Sequence, residues 1–253
     1  MKKTIFKIAT SAPKKSDTKI VPNLKSAEIA VLFDMDGVLV DVTASYRKAI
    51  QDTVGFFTGK KALLKEIQSL KEKGGYNNDW DLTEAILSNR GKSVPKAQII
   101  EKFQELYRGG KGKKGYIENE KWLLSIELLK QLKEKYALGI VTGRPKEEAL
   151  FVLKKFGTSN LFDVIIAMED YPAEKAKPDP YPINLALKKI PKAKAIYVGD
   201  SVDDILAAKR ANIKPIGCIP PGVSADQLKD LLIKNGAEKV LYNINNINQA
   251  IIE

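Results

Sequence analysis

Hydrophobic and polar positions along this chain follow two different periods, and the change between them divides it. Short apolar runs bounded by turn residues recur at 28–34, 137–141, 164–168, 195–199, 215–219 and 239–242, with the length and composition of buried strands. From position 119 onward the stretches between these runs carry helical periodicity. They predict helices over 119–136, 146–156, 181–190, 201–212 and 224–235, and a last one ending at Ile251. Strands that alternate with helices predict a parallel sheet wrapped on both faces.

Residues 43–108 read differently, because only the helical period is present. Tyr46, Ile50, Val54 and Phe57 mark one apolar face of a helix that ends near Gly59. Further helices are predicted over 61–73, 78–89 and 95–107, with Pro95 at the first helical position. The glycine- and lysine-rich run 109–115 then reads as a return linker and hinge. It lacks the G-x-x-x-x-G-K-[ST] spacing of a phosphate-binding loop, and no strand precedes it. The expected organisation is an α/β, doubly wound, Rossmann-like core made of 28–42 and 116–253. Residues 43–115 form a smaller all-helical unit, and 1–27 a basic, flexible extension.

Composition removes several chemistries. The chain of 253 residues has one cysteine, Cys218, and no histidine. Internal disulfides, closed thiolate metal sites, His-ligated metals and Ser-His-Asp or Cys-His catalysis therefore fall away. Carboxylates, hydroxyls and lysines remain, and hard oxygen ligands suit magnesium. No apolar run approaches the ~18 residues that span a bilayer, and Lys7 interrupts the short apolar stretch near the start. A soluble, cytoplasmic protein with no membrane partner is expected. The formal charge of +11 invites a nucleic-acid reading, but residues 1–27 hold seven lysines against one acid, Asp17. The remaining lysines are interleaved with acids on helix faces, so no specific nucleic-acid partner is expected.

The chemistry centres on the first strand, which ends in Asp34-Met35-Asp36-Gly37. In an open α/β sheet the crevice beyond the strands' carboxyl ends is where ligands bind. Residues i and i+2 of an extended backbone share a side, so Asp34 and Asp36 can address one ligand. A calcium loop fits poorly, since Gly37 follows directly and no ladder of ligands comes after it. A polar turn and a nucleophile with its acid/base partner both remain open.

Partners stand at the ends of later strands: Thr142-Gly143 after 137–141, Lys177-Pro178-Asp179-Pro180 after 164–168, and Asp200-Ser201-Val202-Asp203-Asp204 after 195–199. Together with Asp34 and Asp36, this series resembles the four motifs of the haloacid dehalogenase-like (HAD) hydrolase superfamily. The likeness extends from about Ala27 to the C-terminus. The resemblance implies that 43–115 is a helical cap inserted after the first core strand. It implies Asp34 as nucleophile, Asp36 as acid/base, and Mg2+ held by Asp34, the backbone carbonyl of Asp36, and Asp200. Thr142 and the Gly143 amide would hold the transferring phosphoryl oxygens, and Lys177 would neutralise the phosphate and Asp34. Asp204 is open between metal-site duty and capping the helix through Ser201-x-x-Asp204, and Asp203 is expected to be exposed.

Specificity is expected from the helical unit. In Gly74-Gly75-Tyr76-Asn77-Asn78-Asp79-Trp80, Gly75 permits close backbone approach, Asn77 and Asn78 can read hydroxyls, and Trp80 offers a stacking face. A turn with an Asn or Asp N-cap and a buried Trp explains the same residues. Arg47 is the candidate for a second anionic group. An acid at position 36 favours chemistry in which a leaving alkoxide needs a proton. The expected activity is therefore magnesium-dependent hydrolysis of a small phosphorylated metabolite through an aspartyl-phosphate. A phosphomutase shares every motif, and a non-catalytic regulator that uses the basic tail is the reading from a different class.

Overall fold

The computed structural model describes residues 29–76, 78–110, 112–190 and 194–251; the expected extension 1–27 and Asn77 lie outside them. Six strands form one parallel sheet: β1 (Ile29–Phe33), β2 (Ala137–Val141), β3 (Val164–Ile166), β4 (Lys194–Gly199), β5 (Lys214–Cys218) and β6 (Lys239–Leu241). Their order is β6-β5-β4-β1-β2-β3. The mixed α/β architecture expected from the alternating periods is the one observed. β1 sits at the centre because its residues are apolar on both faces. Val31 and Phe33 join one core with α5 (Ile126–Lys135) and α6 (Lys146–Lys155), and Ala30 and Leu32 join another with α7 (Tyr181–Lys189) and α8 (Val202–Arg210).

The chain runs from β1 to β2 and β3 on one side, then crosses to β4, β5 and β6 on the other. This reversal places a crevice beyond the carboxyl ends of β1 and β4, where open α/β sheets bind ligands. Phe33 is in register with Ile140 and Val198. The residues that follow β1, β2 and β4 therefore emerge at one edge.

Four helices fill the stretch after β1: α1 (Tyr46–Thr58), α2 (Leu64–Glu72), α3 (Asp79–Asn89) and α4 (Lys96–Arg108). Ile50, Val54, Leu82, Ile86, Ile99 and Phe103 are all buried in their shared core. Gly59, in the left-handed region at φ 74°, ends α1 as expected. Pro95 proves to be the N-cap of α4, one residue ahead of its first helical position.

Two expectations need correction. The region 119–136 is not one helix: a 3-10 turn at Tyr116–Asn119 leads into a strand, Lys121–Trp122, paired antiparallel with Val40–Asp41. The reason lies in side chains at both ends of the segment. Glu120 is drawn into the core by buried donors, which requires extended backbone (φ −64°, ψ 143°). Ser125 then accepts from the Leu128 N–H and starts α5 afresh. The return linker, in turn, contains a paired ribbon, Gly109–Gly110 with Lys113–Lys114. A Cβ on Gly109 would meet the Lys113 carbonyl at 2.3 Å, and one on Gly115 the Tyr107 carbonyl at 2.2 Å.

Gly139 lies between Leu32 and Val164 in the middle of the sheet. An added Cβ would sit 2.6 Å from Leu32 Cδ2 and 2.7 Å from Val164 Cγ1. Gly139→Ala is expected to destabilise the protein by about 1–3 kcal/mol through overpacking, read as a lower urea midpoint at unchanged m-value.

Candidate active site

Asp34 follows β1 directly, fixed by its N–H donating to the Val198 carbonyl at 2.8 Å. Lys177, from the loop after β3, is buried beside it. Its ammonium donates to Asp34 Oδ1 at 3.0 Å, to Asp204 Oδ1 at 2.5 Å and to the Tyr197 hydroxyl at 2.9 Å. An ammonium has three donors, and all three are used. Burial acts to lower the Lys177 pKa, but Asp204 and Asp34 hold it well above the usual lysine range.

Asp204 serves two neighbours. Its Oδ2 accepts from the Ser201 hydroxyl at 2.6 Å and from the Ser201 and Asp200 amides, while Ser201 Oγ accepts from the Asp204 amide. The capping box at the start of α8 is thus formed, and the same carboxylate carries Lys177. Asp200 follows β4, and its Oδ2 packs on Gly37 so closely that a Cβ there would lie 2.2 Å away; Gly37 also takes φ +78°.

One oxygen each from Asp34, Asp200 and Asp204 lies within 4.8 Å of the others. Burial first, and then the neighbouring acids against Lys177, push Asp34 from the usual 3.8 to about 7. Burial together with Asp204 and Asp34 raises Asp200 well above the carboxylate range. Crowded buried oxygens of this kind suit a hard divalent cation, which would relieve the repulsion.

Asp36 sits across the crevice. Burial raises its pKa, Arg144 opposes that, and Glu120 adds to it. Arg144 Nε donates to Asp36 Oδ1 at 3.0 Å, joined there by Nη2, and Nη1 donates to Glu120 Oε2 at 2.9 Å. Thr142 is buried after β2, and its Oγ1 accepts from the Arg144 amide at 3.2 Å. The Gly143 N–H has no acceptor among the described residues. Both line the same cavity as Asp34, Asp36 and Asp200.

The helical block closes this cavity with Arg47, Lys71, Tyr76, Asn78, Asp79 and Trp80. Arg47 is buried, not surface-exposed, and donates to the Pro221 carbonyl at 3.2 Å. Lys71 pairs with Asp79 at 2.8 Å. Asn78 Oδ1 caps α3 by accepting from the Trp80 and Asp81 amides, so the capping explanation of this residue is realised even though it lines the cavity. Asp203 corrects an expectation: it is buried, and its carboxylate accepts the Gly75 N–H at 3.1 and 3.3 Å. The loop with two glycines reaches across to the core at that point. Asn77 lies outside the described residues.

Sequence reasoning missed Arg144, Glu120, Tyr197 and Lys71. Arg144 carried one signal, its place directly after Thr142-Gly143. The others are brought in by contacts between distant parts of the chain, which no local pattern encodes.

Residues 31–218 match the family of haloacid dehalogenase-like hydrolases. A pyrophosphatase, PpaX, of Halalkalibacterium halodurans is 41% identical over 193 residues, spanning 73% of this chain and 80% of its own. An imidazoleglycerol-phosphate dehydratase of Phytophthora nicotianae is 37% identical over 207 residues, or 79% of this chain; the match spans only 45% of that protein's length. Among solved structures, a haloacid dehalogenase-like protein of Agrobacterium tumefaciens has the same fold, with a TM-score of 0.71 at 19% identity, covering 90% of this chain and 98% of its own. The chain belongs to the haloacid dehalogenase-like hydrolase family, and it groups there with phosphatase enzymes. No helix among the described residues is long and apolar enough to cross a membrane.

In the folded, metal-free chain Asp34 and Asp200 hold protons that the unfolded chain releases. The Asp34 contribution to stability is present below about pH 4 and is lost as pH rises through about 7, and that of Asp200, whose pKa is raised in the same direction by burial and by Asp204 and Asp34, is lost with rising pH in the same sense. Asp200→Asn removes one charge from the crowd. At alkaline pH without metal it is expected to raise Tm, by about 2–4 °C per kcal/mol relieved, and to abolish any extra stabilisation that a millimolar divalent cation gives the wild type in the same thermal melts.

Proposed function

We propose that this protein is a magnesium-dependent phosphatase of the cytoplasm. It hydrolyses a small phosphorylated metabolite through an aspartyl-phosphate on Asp34. The observation that supports this most is the meeting of Asp34 and Asp200, from two separate strand ends, with Lys177 from the loop after β3, beside a buried threonine hydroxyl. Asp34 and Asp200 would hold the cation, with Asp204 behind them carrying Lys177. When bound, Mg2+ supplies positive charge that lets two carboxylates and a phosphate dianion share one crevice.

The residues of the chain do the rest. Lys177 engages Asp34 through Oδ1, leaving its other oxygen to attack phosphorus as the bond to the leaving oxygen breaks. Thr142 and the Gly143 amide hold phosphoryl oxygens, and the Asp36 carboxyl gives its proton to the leaving oxygen. The Asp36 carboxylate then takes a proton from water as that water attacks the phosphoenzyme and frees Asp34. Residues 43–115 act as the cap over this crevice. Arg47, Trp80, Asn78 and Gly75 belong to the substrate-binding wall.

Asp34→Asn is expected to lower turnover of p-nitrophenyl phosphate by roughly 10³-fold or more while leaving the circular dichroism spectrum unchanged. Full activity in that variant would refute the mechanism. Release of inorganic phosphate from a panel of phosphate esters, with Mg2+ and with EDTA, separates a phosphatase from a phosphomutase. Alongside the esters, one of them imidazole-bearing, the phosphoanhydride pyrophosphate should be assayed, after the names of the two relatives.

A further inference from the structure

The Arg144 side chain is fully buried, and three parts of the chain share its guanidinium. Nη1 and Nη2 donate to Glu120 at 2.9 and 3.1 Å, on the segment that returns from the helical block. Nε, at 3.0 Å, and Nη2 both donate to Asp36, and to the same oxygen, Oδ1. The guanidinium carbon lies over the ring of Tyr46, in the first turn of α1, 4.9 Å from its centroid.

These partners are themselves tied down. Glu120 accepts from Ser45 Oγ at 2.8 Å and from the Tyr107 hydroxyl at 2.9 Å. Tyr46 stacks on Tyr107 with centroids 4.2 Å apart, and its hydroxyl donates to the buried Glu148, which also accepts from Arg108 Nε at 2.8 Å. A planar guanidinium fastened from all these directions cannot swing. Asp36 is therefore gripped through Oδ1 alone. Its Oδ2 has no hydrogen-bond partner among the described residues, and Asp36 lines the cavity.

We propose that Arg144 is a positioning residue for phosphoryl transfer: by fastening Oδ1 of Asp36 to the base of the helical block, it presents Oδ2 to the leaving group. The inference rests on the phosphatase reading above. In the step it serves, an Asp34 oxygen bonds to phosphorus, the bond from phosphorus to the leaving oxygen breaks, and the proton on Asp36 Oδ2 passes to that oxygen. An alkoxide leaves poorly without this proton, whereas p-nitrophenolate leaves readily. Loss of the positioning residue should therefore be felt by one kind of ester and not the other.

The test combines Arg144→Gln with Glu120→Gln, so that one positive and one negative buried charge are removed together. The value of kcat/KM is measured with Mg2+ for β-glycerophosphate and for p-nitrophenyl phosphate. It contains only the steps through formation of the phosphoenzyme, so later hydrolysis does not blur it. The expected result is a fall of ~10²-fold or more for the alkyl ester and less than ~10-fold for the aryl ester, in line with the usual weight of general acid catalysis. Asp36→Asn should show the same selectivity, and adding the paired change to it should not alter the ratio further. Equal losses on both esters, or a further change of ratio in the Asp36→Asn background, would overturn the assignment and leave Arg144 a packing element. Should the paired variant fail to fold, Arg144→Lys carries the test. It keeps the charge but not the planar fork, so a smaller shift of the same ratio is expected and an unchanged ratio overturns the proposal. A wild type that hydrolyses neither ester would instead refute the phosphatase reading itself.

Discussion

Repulsion between buried carboxylates is the constraint on which this structure turns. Asp34, Asp36, Glu120, Asp200 and Asp204 gather at one edge of the sheet, and among the described residues only Lys177 and Arg144 are paired with them in salt bridges. Two like charges ~4 Å apart repel by about 4 kcal/mol at an effective dielectric of 20. The fold sets Lys177 and Arg144 each between two acids, and burial, with Asp204 and Asp34 close by, raises the Asp200 pKa against the pull of Lys71 and Arg47. A proton on one of the acids, or a hard divalent cation between them, would relieve such crowding.

The backbone makes that crowding possible. β1 lies between β2 and β4, so the chain must return from both sides of the sheet to assemble the site. Gly37 lets Asp200 lie against the loop after β1, and the capping box at α8 turns Asp204 back toward Lys177. The helical block adds the far wall. Its contact through Gly75 and Asp203 and its anchorage through Tyr46, Tyr107 and Glu120 attach it at two separate places.

Much of this was legible in the sequence, because strand ends marked by acids, a threonine and a lysine are local signals. Each predicted core strand appears within a residue or two of its expected place, since buried parallel strands are continuous apolar runs. The charge partners were not legible. Glu120 sits in a helical pattern along the sequence, yet becomes extended because Ser45, Tyr107 and Arg144 converge on it from three distant segments. Asp203 looked like an exposed first-turn acid, and only the approach of Gly75 from 128 residues away buries it. Local periodicity reports what an element can be, and long-range polar contacts decide which alternative is taken.

Lys177 and Arg144, the buried cations paired with the acids of the crevice, are not interchangeable. Lys177 stands among Asp34, Asp204 and the Tyr197 hydroxyl, an arrangement that suits a compact ammonium with three donors. Arg144 has two acids within reach of its nitrogens and an aromatic ring over its face, which suits a rigid plane and no other side chain. A guanidinium at 177 would be too wide for its pocket, and an ammonium at 144 could not bond to Asp36 and Glu120 in one plane while lying on Tyr46. The choice of cation thus follows from the shape of each pocket: a point charge among two carboxylates and a phenol hydroxyl, and a plate between two carboxylates and an aromatic ring.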